Sequence, residues 1–154
     1  MTTYKKTIPN IRLVMDSSSH QAMKITSAKD AAILLTNLYD DSIGIYESVY
    51  MITLNQANNT TGFVQVSTGG ITGCVVDIRL VAKYAVEMMA TGVILCHNHP
   101  SGNLSPSHAD AALTQKVKAG LDTLDIRLLD HIILSPEAKS NPDMFYSFQQ
   151  EGRI

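Results

Sequence analysis

The sequence predicts an α/β (α+β) fold: a mixed β-sheet flanked by helices. Three observations predict it. Segments rich in β-branched and aromatic residues alternate with segments of helical periodicity, as in layered α/β domains. Val93–Cys96 is a short, wholly apolar run, as expected of a central strand buried on both faces. Glu47–Leu54 and Phe63–Ser67 flank an Asn58-Asn59-Thr60-Thr61-Gly62 turn and read as a hairpin.

Residues 1–24 read as a loosely ordered N-terminal segment with a short strand at Ile11–Met15, and residues 25–154 as one domain. Ser27 with Asp30 gives a helix-start signal, followed by Ala31, Leu34, Leu35 and Leu38 on one face. Asp40-Asp41-Ser42 closes that helix. Gly69, Gly70 and Gly73 mark a loop. Asp77 then caps an amphipathic helix with apolar positions Ile78, Val81, Ala82, Ala85, Met88 and Met89, ended by Gly92. Ser105 as N-cap and Pro106 at the first helical position open the next helix, whose apolar stripe is Ala109, Ala112, Leu113, Val117, Gly120, Leu121 and Leu124. Ile126–Leu128 and His131–Leu134 read as strands, and Phe145–Phe148 packs back on the sheet.

A chain of 154 residues, 45% hydrophobic and 17% charged, is long enough to bury a core as one domain. No apolar run approaches the length of a membrane span, and no apolar stretch follows the N-terminal lysines as in a signal peptide. Two cysteines, Cys74 and Cys96, form no disulfide framework and fit reduced thiols in a cytoplasmic protein. The net charge of −2 gives no electrostatic footprint for nucleic acid. The basic residues Lys5, Lys6, Arg12, Lys24 and Lys29 outweigh Asp16 and Asp30 near the N-terminus, which reads as a solvated tail rather than a phosphate-binding arm.

The chemistry concentrates in HNHPSGNLSPSHAD, residues 97–110. His97 and His99 are two apart, so on a strand both side chains leave one face. They leave it at the strand's C-terminal end, where open α/β sheets place ligands. Asp110 follows a Pro-Ser-Gly turn and stands at a helix start, three residues from Ser107 and on its helical face. Two imidazoles and a carboxylate are a common ligand set for zinc (Zn2+), with a water in the open fourth position. Asn98 and Cys96 alternate to the opposite face, Asn98 as a structural residue and Cys96 as a core thiol.

A hydrolytic zinc needs a nearby base. Composition alone does not select it from Glu47, Glu87, Glu137 and Asp130, though Glu47 opens a β-rich run with no charge partner in sequence, whereas Glu87 lies on a polar helix face. Ser107 has two readings, a helix-start hydroxyl or a donor to the oxyanion of a tetrahedral intermediate. Asp130-His131 reads as a strand-start cap with a partly buried ring, ahead of a ligand orienter or a substrate contact. His20 and His108 read as exposed.

His-x-His, seven residues, Ser, two residues, Asp is the pattern of the JAMM (MPN-type) metalloproteases. More closely, GIYESVYMITLN, VSTGG, HNHPSGNLSPSHAD, LDIRLLDHIIL and YSFQQEG resemble the RadC-like branch, whose members have long carried a DNA-repair name. The resemblance covers about residues 44–154 and implies a deaminase-like α/β sandwich. It places His97, His99 and Asp110 on zinc ligands, Glu47 on the general acid/base and Ser107 on the oxyanion-stabilising serine. It implies hydrolysis of a peptide or isopeptide bond in a peptide or protein substrate.

Two features depart from the family pattern. Only some forty residues precede Glu47, too few for the helix-hairpin-helix region of longer members plus its connecting helix, so the chain resembles a short form lacking that region, which weakens the expectation of a DNA role. The family's Pro-Arg-Glu before the middle helix reads Ile78-Arg79-Leu80. The alternatives are a metal-dependent phosphodiesterase or nucleic-acid-associated protein, and a non-catalytic binding scaffold. A cytidine-deaminase site is excluded, because His-x-Glu and Pro-Cys-x-x-Cys are absent.

Overall fold

The computed structural model describes residues 7–69 and 74–154. In chain order the elements are α1 (Ala28–Leu38), β1 (Ser48–Leu54), β2 (Thr60–Thr68), α2 (Ile78–Glu87), β3 (Gly92–Asn98), α3 (His108–Asp122), β4 (Arg127–Leu134) and β5 (Phe145–Ser147). The five strands form one sheet in the order β2-β1-β3-β4-β5. Only β3 and β4 run parallel, with α3 as their crossover; the other neighbours are antiparallel. The expected mixed sheet flanked by helices is thus the fold observed.

Alternation along the strands divides the core between the two faces. Ile52 and Leu54 of β1, Ile94 and Cys96 of β3, and Ile132 and Leu134 of β4 pack with Ala31, Ala32 and Leu35 of α1. Val49 and Met51, Val93 and Leu95, and Leu128 pack with Val81 and Ala85 of α2 and Val117 and Leu121 of α3. By the period of two, His97 continues the α2/α3 face and Asn98 the α1 face. Every residue of β3 is buried, as its apolar run requires of a central strand.

Cap chemistry fixes the helix starts. Ser27 and Asp30 form the expected capping box on α1. Asp77 accepts from the Arg79 N–H at the start of α2. The start of α3 corrects the expectation. Ser107, not Ser105, is the N-cap, with Asp110 completing a capping box. The physical reason is reciprocity: three residues beyond Ser107 stands a carboxylate that can return a bond, whereas three residues beyond Ser105 stands His108.

Other boundaries also shift. α2 ends before Met88, and Met89 turns into the left-handed region at φ 49°, so Gly92 begins β3 rather than stopping the helix. Met89 is consequently exposed, not part of the buried face. β2 starts at Thr60, because Asn55 Oδ1 accepts from the N–H groups of Ala57 and Asn59 and tightens the turn ahead of Gly62. The two expected strands at 126–128 and 131–134 are one strand, β4, interrupted by a bulge: Val93 pairs with Leu128 and Ile94 with Asp130, leaving Leu129 extra. β5 pairs with β4, so the C-terminal aromatic segment packs on the sheet as expected. Ile11–Met15 forms no strand; it has no hydrogen-bonded strand partner among the described residues, and Ile11, Leu13, Val14 and Met15 are exposed. Within the glycine loop, residues 70–73 lie outside the described residues, as do residues 1–6 of the N-terminal segment. Among the described residues, no helix is long and apolar enough to cross a membrane.

Candidate metal centre

The end of β3 and the start of α3 meet over the α2/α3 face of the sheet. The turn between them is drawn in where the Gly102 N–H donates to the His99 carbonyl at 2.9 Å. Gly102 sits at φ +82°, where a side chain would be strained. His97 is buried, while His99 and Asp110 are half-buried. Nε2 of His97 lies 3.0 Å from Nε2 of His99. The Asp110 carboxylate closes the triangle, one oxygen 3.2 Å from His97 Nε2 and the other 3.3 Å from His99 Nε2. Among the described residues this is the one group of three such side chains with the geometry to hold a metal ion.

The donor chemistry fits a cation. A tetrahedral ion bound at about 2.0–2.1 Å spans ligand pairs about 3.3–3.4 Å apart, close to the separations seen. Nδ1 of His99 is 2.6 Å from the Asn103 carbonyl, which can only accept. A neutral His99 ring therefore carries its proton on Nδ1 and turns a bare Nε2 towards His97 and Asp110.

The electrostatics describe the same concentration of charge. Burial alone would raise the Asp110 carboxyl, but hydrogen bonds from His97 and His99, the His97 charge and the Ser107 N–H outweigh it and hold it far below 3.8. The His99 imidazole is raised above 6.5, first by its hydrogen bond to Asp110, with burial opposing and Asn103 and the Glu47 charge adding.

Glu47 directly precedes β1 and is half-buried. In the antiparallel pairing Val49 lies opposite His97, so Glu47, two residues earlier, falls level with His99 and on the same face. Its charge acts on His99, which places it within electrostatic reach of the centre. Its backbone is held on both sides by Asn98, which is fully buried on the other face. Asn98 Oδ1 accepts from the Ser48 N–H at 2.9 Å, and Nδ2 donates to the carbonyls of Ile43 and Tyr46 at 2.7 and 3.0 Å. The residue between the two histidines thus ties their strand to the segment carrying Glu47, in line with its expected structural role.

Ser107 Oγ accepts from the Asp110 N–H at 3.1 Å, and Asp110 in turn accepts from the Ser107 N–H at 2.8 Å. The cap uses a lone pair of the hydroxyl and leaves its proton free to donate.

One residue beside the centre, Thr114, escaped the sequence reading, and for another, His131, the structure favours the ligand-orienter alternative over the strand-start cap. His131 is not a partly buried ring at a strand start; it is fully buried in mid-strand, with Nε2 2.8 Å from His97 Nδ1 and Nδ1 2.6 Å from Thr114 Oγ1. Burial, then the His97 charge, lowers its imidazole well below 6.5. Thr114 is fully buried on α3, whereas Ala109, Ala112 and Leu124 of the expected stripe are exposed. The inward face is Asp110, Thr114, Val117 and Leu121; counting it from an inward-facing Asp110 would have found Thr114. Asp130 does not pair with the His131 ring. It faces the α1 side and accepts from Ser147 Oγ at 2.6 Å and the Gln149 N–H at 3.1 Å, anchoring the C-terminal segment. Glu87 and Glu137 lie outside this cluster. Cys96 is a buried core thiol, and His20 and His108 are exposed, all as expected.

The sequence profile of the RadC-like JAB domain matches residues 25–153. A UPF0758 protein of Flavobacterium johnsoniae is 44% identical over 129 residues, covering 84% of this chain and 53% of the relative. One from Porphyromonas gingivalis is 36% identical over 70% of this chain and 45% of its own length, and one from Clostridium botulinum is 34% identical over 89% and 56%. The chain spans about half the length of these curated relatives.

Proposed function

Because the chain belongs to the RadC-like JAB domain family, we propose that it is a zinc-dependent hydrolase of JAMM type that cleaves peptide or isopeptide bonds. The observation that carries this reading is the triangle of His97 Nε2, His99 Nε2 and the Asp110 carboxylate, closed at 3.0–3.3 Å, with Glu47 two residues before Val49, the partner of His97. In this reading His97, His99 and Asp110 hold the metal. Zinc there supplies a Lewis acid that brings a water's pKa near neutrality and polarises the substrate carbonyl.

The remaining work falls to the chain's own groups. The Glu47 carboxylate takes the proton of the attacking water and delivers it to the nitrogen of the leaving amine. The Ser107 hydroxyl donates its free proton to the oxyanion that forms on the scissile carbonyl. His99 is held in its donor orientation by the Asn103 carbonyl. Asp110 is held in place by the Ser107 N–H, which donates to its carboxylate at 2.8 Å. Nothing in the net charge of −2 favours a polyanionic substrate over a peptide.

The test is cleavage of a peptide and isopeptide library by the zinc-loaded chain, alongside single- and double-stranded nucleic acid. Glu47→Gln is expected to retain zinc while losing about 10²–10⁴ in turnover, the range general acid–base groups supply. Undiminished turnover by that variant would reassign the base. Cleavage of nucleic acid alone, abolished by Asp110→Asn, would replace the peptidase reading with a phosphodiesterase.

A further inference from the structure

Behind His97 runs a buried polar chain whose proton directions are fixed by hydrogen-bond chemistry. Thr114 Oγ1 lies 2.7 Å from the Asp110 backbone carbonyl and 2.6 Å from His131 Nδ1. A carbonyl can only accept, and a hydroxyl has one proton, so that proton is committed to Asp110. Towards His131, Thr114 Oγ1 can therefore only accept, and Nδ1 of His131 must carry the ring proton. Fully buried, with a hydroxyl and an imidazole rather than a carboxylate against its nitrogens, the ring is neutral and bare at Nε2, which lies 2.8 Å from His97 Nδ1 and accepts its N–H. His97 is left with a bare Nε2, aimed at His99 and Asp110. The chain starts at the backbone of one metal-ligating residue and ends on the ring of another.

We propose that Thr114 is a positioning residue of the metal centre: its hydroxyl sets the tautomer of His131 and, through it, the tautomer and orientation of His97. The inference deepens the zinc-hydrolase reading above and rests on it. Thr114 and His131 touch no reacting atom, so neither is a catalytic residue.

The fold provides for this chain at three places. The bulge at Leu129 flips the alternation of β4, so that His131 lies on the α3 face with His97 while Asp130 faces α1. Without the extra residue the imidazole would project into the α1 side of the core. The ring plane is fixed by stacking on Phe148, with centroids 4.9 Å apart and planes 9° apart. The capping box that starts α3 at Ser107 rotates the helix so that Asp110 and Thr114, one turn apart, both point inward. Valine would fill the same space as Thr114 and leave His131 free to place its proton on either nitrogen.

The experiment has two parts. The imidazole ¹⁵N shifts of the zinc-loaded, unmodified chain should show His131 protonated at Nδ1 and bare at Nε2; protonation at Nε2 would overturn the proposal whatever any variant does. Zinc affinity, measured by competition with a chromophoric chelator together with the Tm of each variant, should fall about 10–100-fold in Thr114→Val. Thr114→Ser, which keeps the hydroxyl, should restore most of that loss. Equal affinity in the valine variant and the unmodified chain, or serine as weak as valine, would contradict it. No zinc uptake by the unmodified chain would overturn the metal reading as well, whereas uptake with the wrong His131 tautomer overturns this inference alone.

Discussion

Ser107 combines two uses that ordinarily compete. As N-cap it satisfies the Asp110 N–H through a lone pair, and as the proposed oxyanion donor it spends the hydroxyl proton. Substitutions separate them. Ser107→Gly keeps most of the capping effect, costing a few tenths of a kcal/mol, whereas Ser107→Ala costs about 1 kcal/mol. Both should lose about 10²–10³ in turnover. Equilibrium denaturation beside kinetics reads the two effects independently, and a glycine variant that kept full turnover would remove Ser107 from the chemistry. Asn98 is the other residue whose position decides its work. Asn98→Ala would orphan the Ser48 N–H and the carbonyls of Ile43 and Tyr46, and we expect a loss of about 2–4 kcal/mol in urea unfolding. A loss near zero would show that these backbone groups find other partners.

Among the elements, β3 and the start of α1 were plain in the sequence, because an uninterrupted apolar run and a Ser-x-x-Asp box each have one physical reading. The His-x-His pair was equally plain, since a period of two on a buried strand fixes its face. The start of α3 was misread by two residues, because Ser-Pro and Ser-x-x-Asp both announce a helix and only the second closes a reciprocal pair. Thr114 was hidden because the buried face was counted on apolar residues from Ala109, whereas the inward face is counted from Asp110 and includes a polar residue. His131 was hidden by the bulge in β4. An extra residue breaks the strand's alternation, and nothing in Leu128-Leu129-Asp130 announces which residue will be unpaired. Glu47 was placed by resemblance, and the β1–β3 register brings the start of β1, which it precedes, beside His97.

At the scale of the whole molecule, the group that could hold a metal ion ties β3 to the start of α3, while His131 and Asn98 connect it to β4 and to the segment before β1. Ion binding is therefore expected to stabilise the entire chain, by about 4 kcal/mol at a free zinc concentration a thousandfold above Kd. The pH dependence of the metal-free chain follows from the same groups. Asp110 is held far below 3.8, so its contribution is present above that value and disappears as pH falls. His99 is raised above 6.5, so its contribution is complete below 6.5 and is lost as pH rises through the raised value. Between these limits both act together, opposed by His131, whose lowered imidazole costs stability as pH falls below 6.5. Thermal melts of chelator-treated protein should therefore show Tm falling as pH is raised above about 6.5, and a Tm that climbed instead would contradict the assigned charge states. With zinc present the trend reverses, because the ligands must give up their protons to bind it.

The most direct measurement is the zinc content of protein purified without chelator, taken for the unmodified chain and for His97→Ala, with X-ray absorption at the zinc edge. Three side chains converging at 3.0–3.3 Å predict one zinc per chain with two imidazole ligands and at least one carboxylate oxygen, and none in the variant. A chain that takes up no zinc, or a variant that holds it as well as the unmodified protein, would contradict the account at its base.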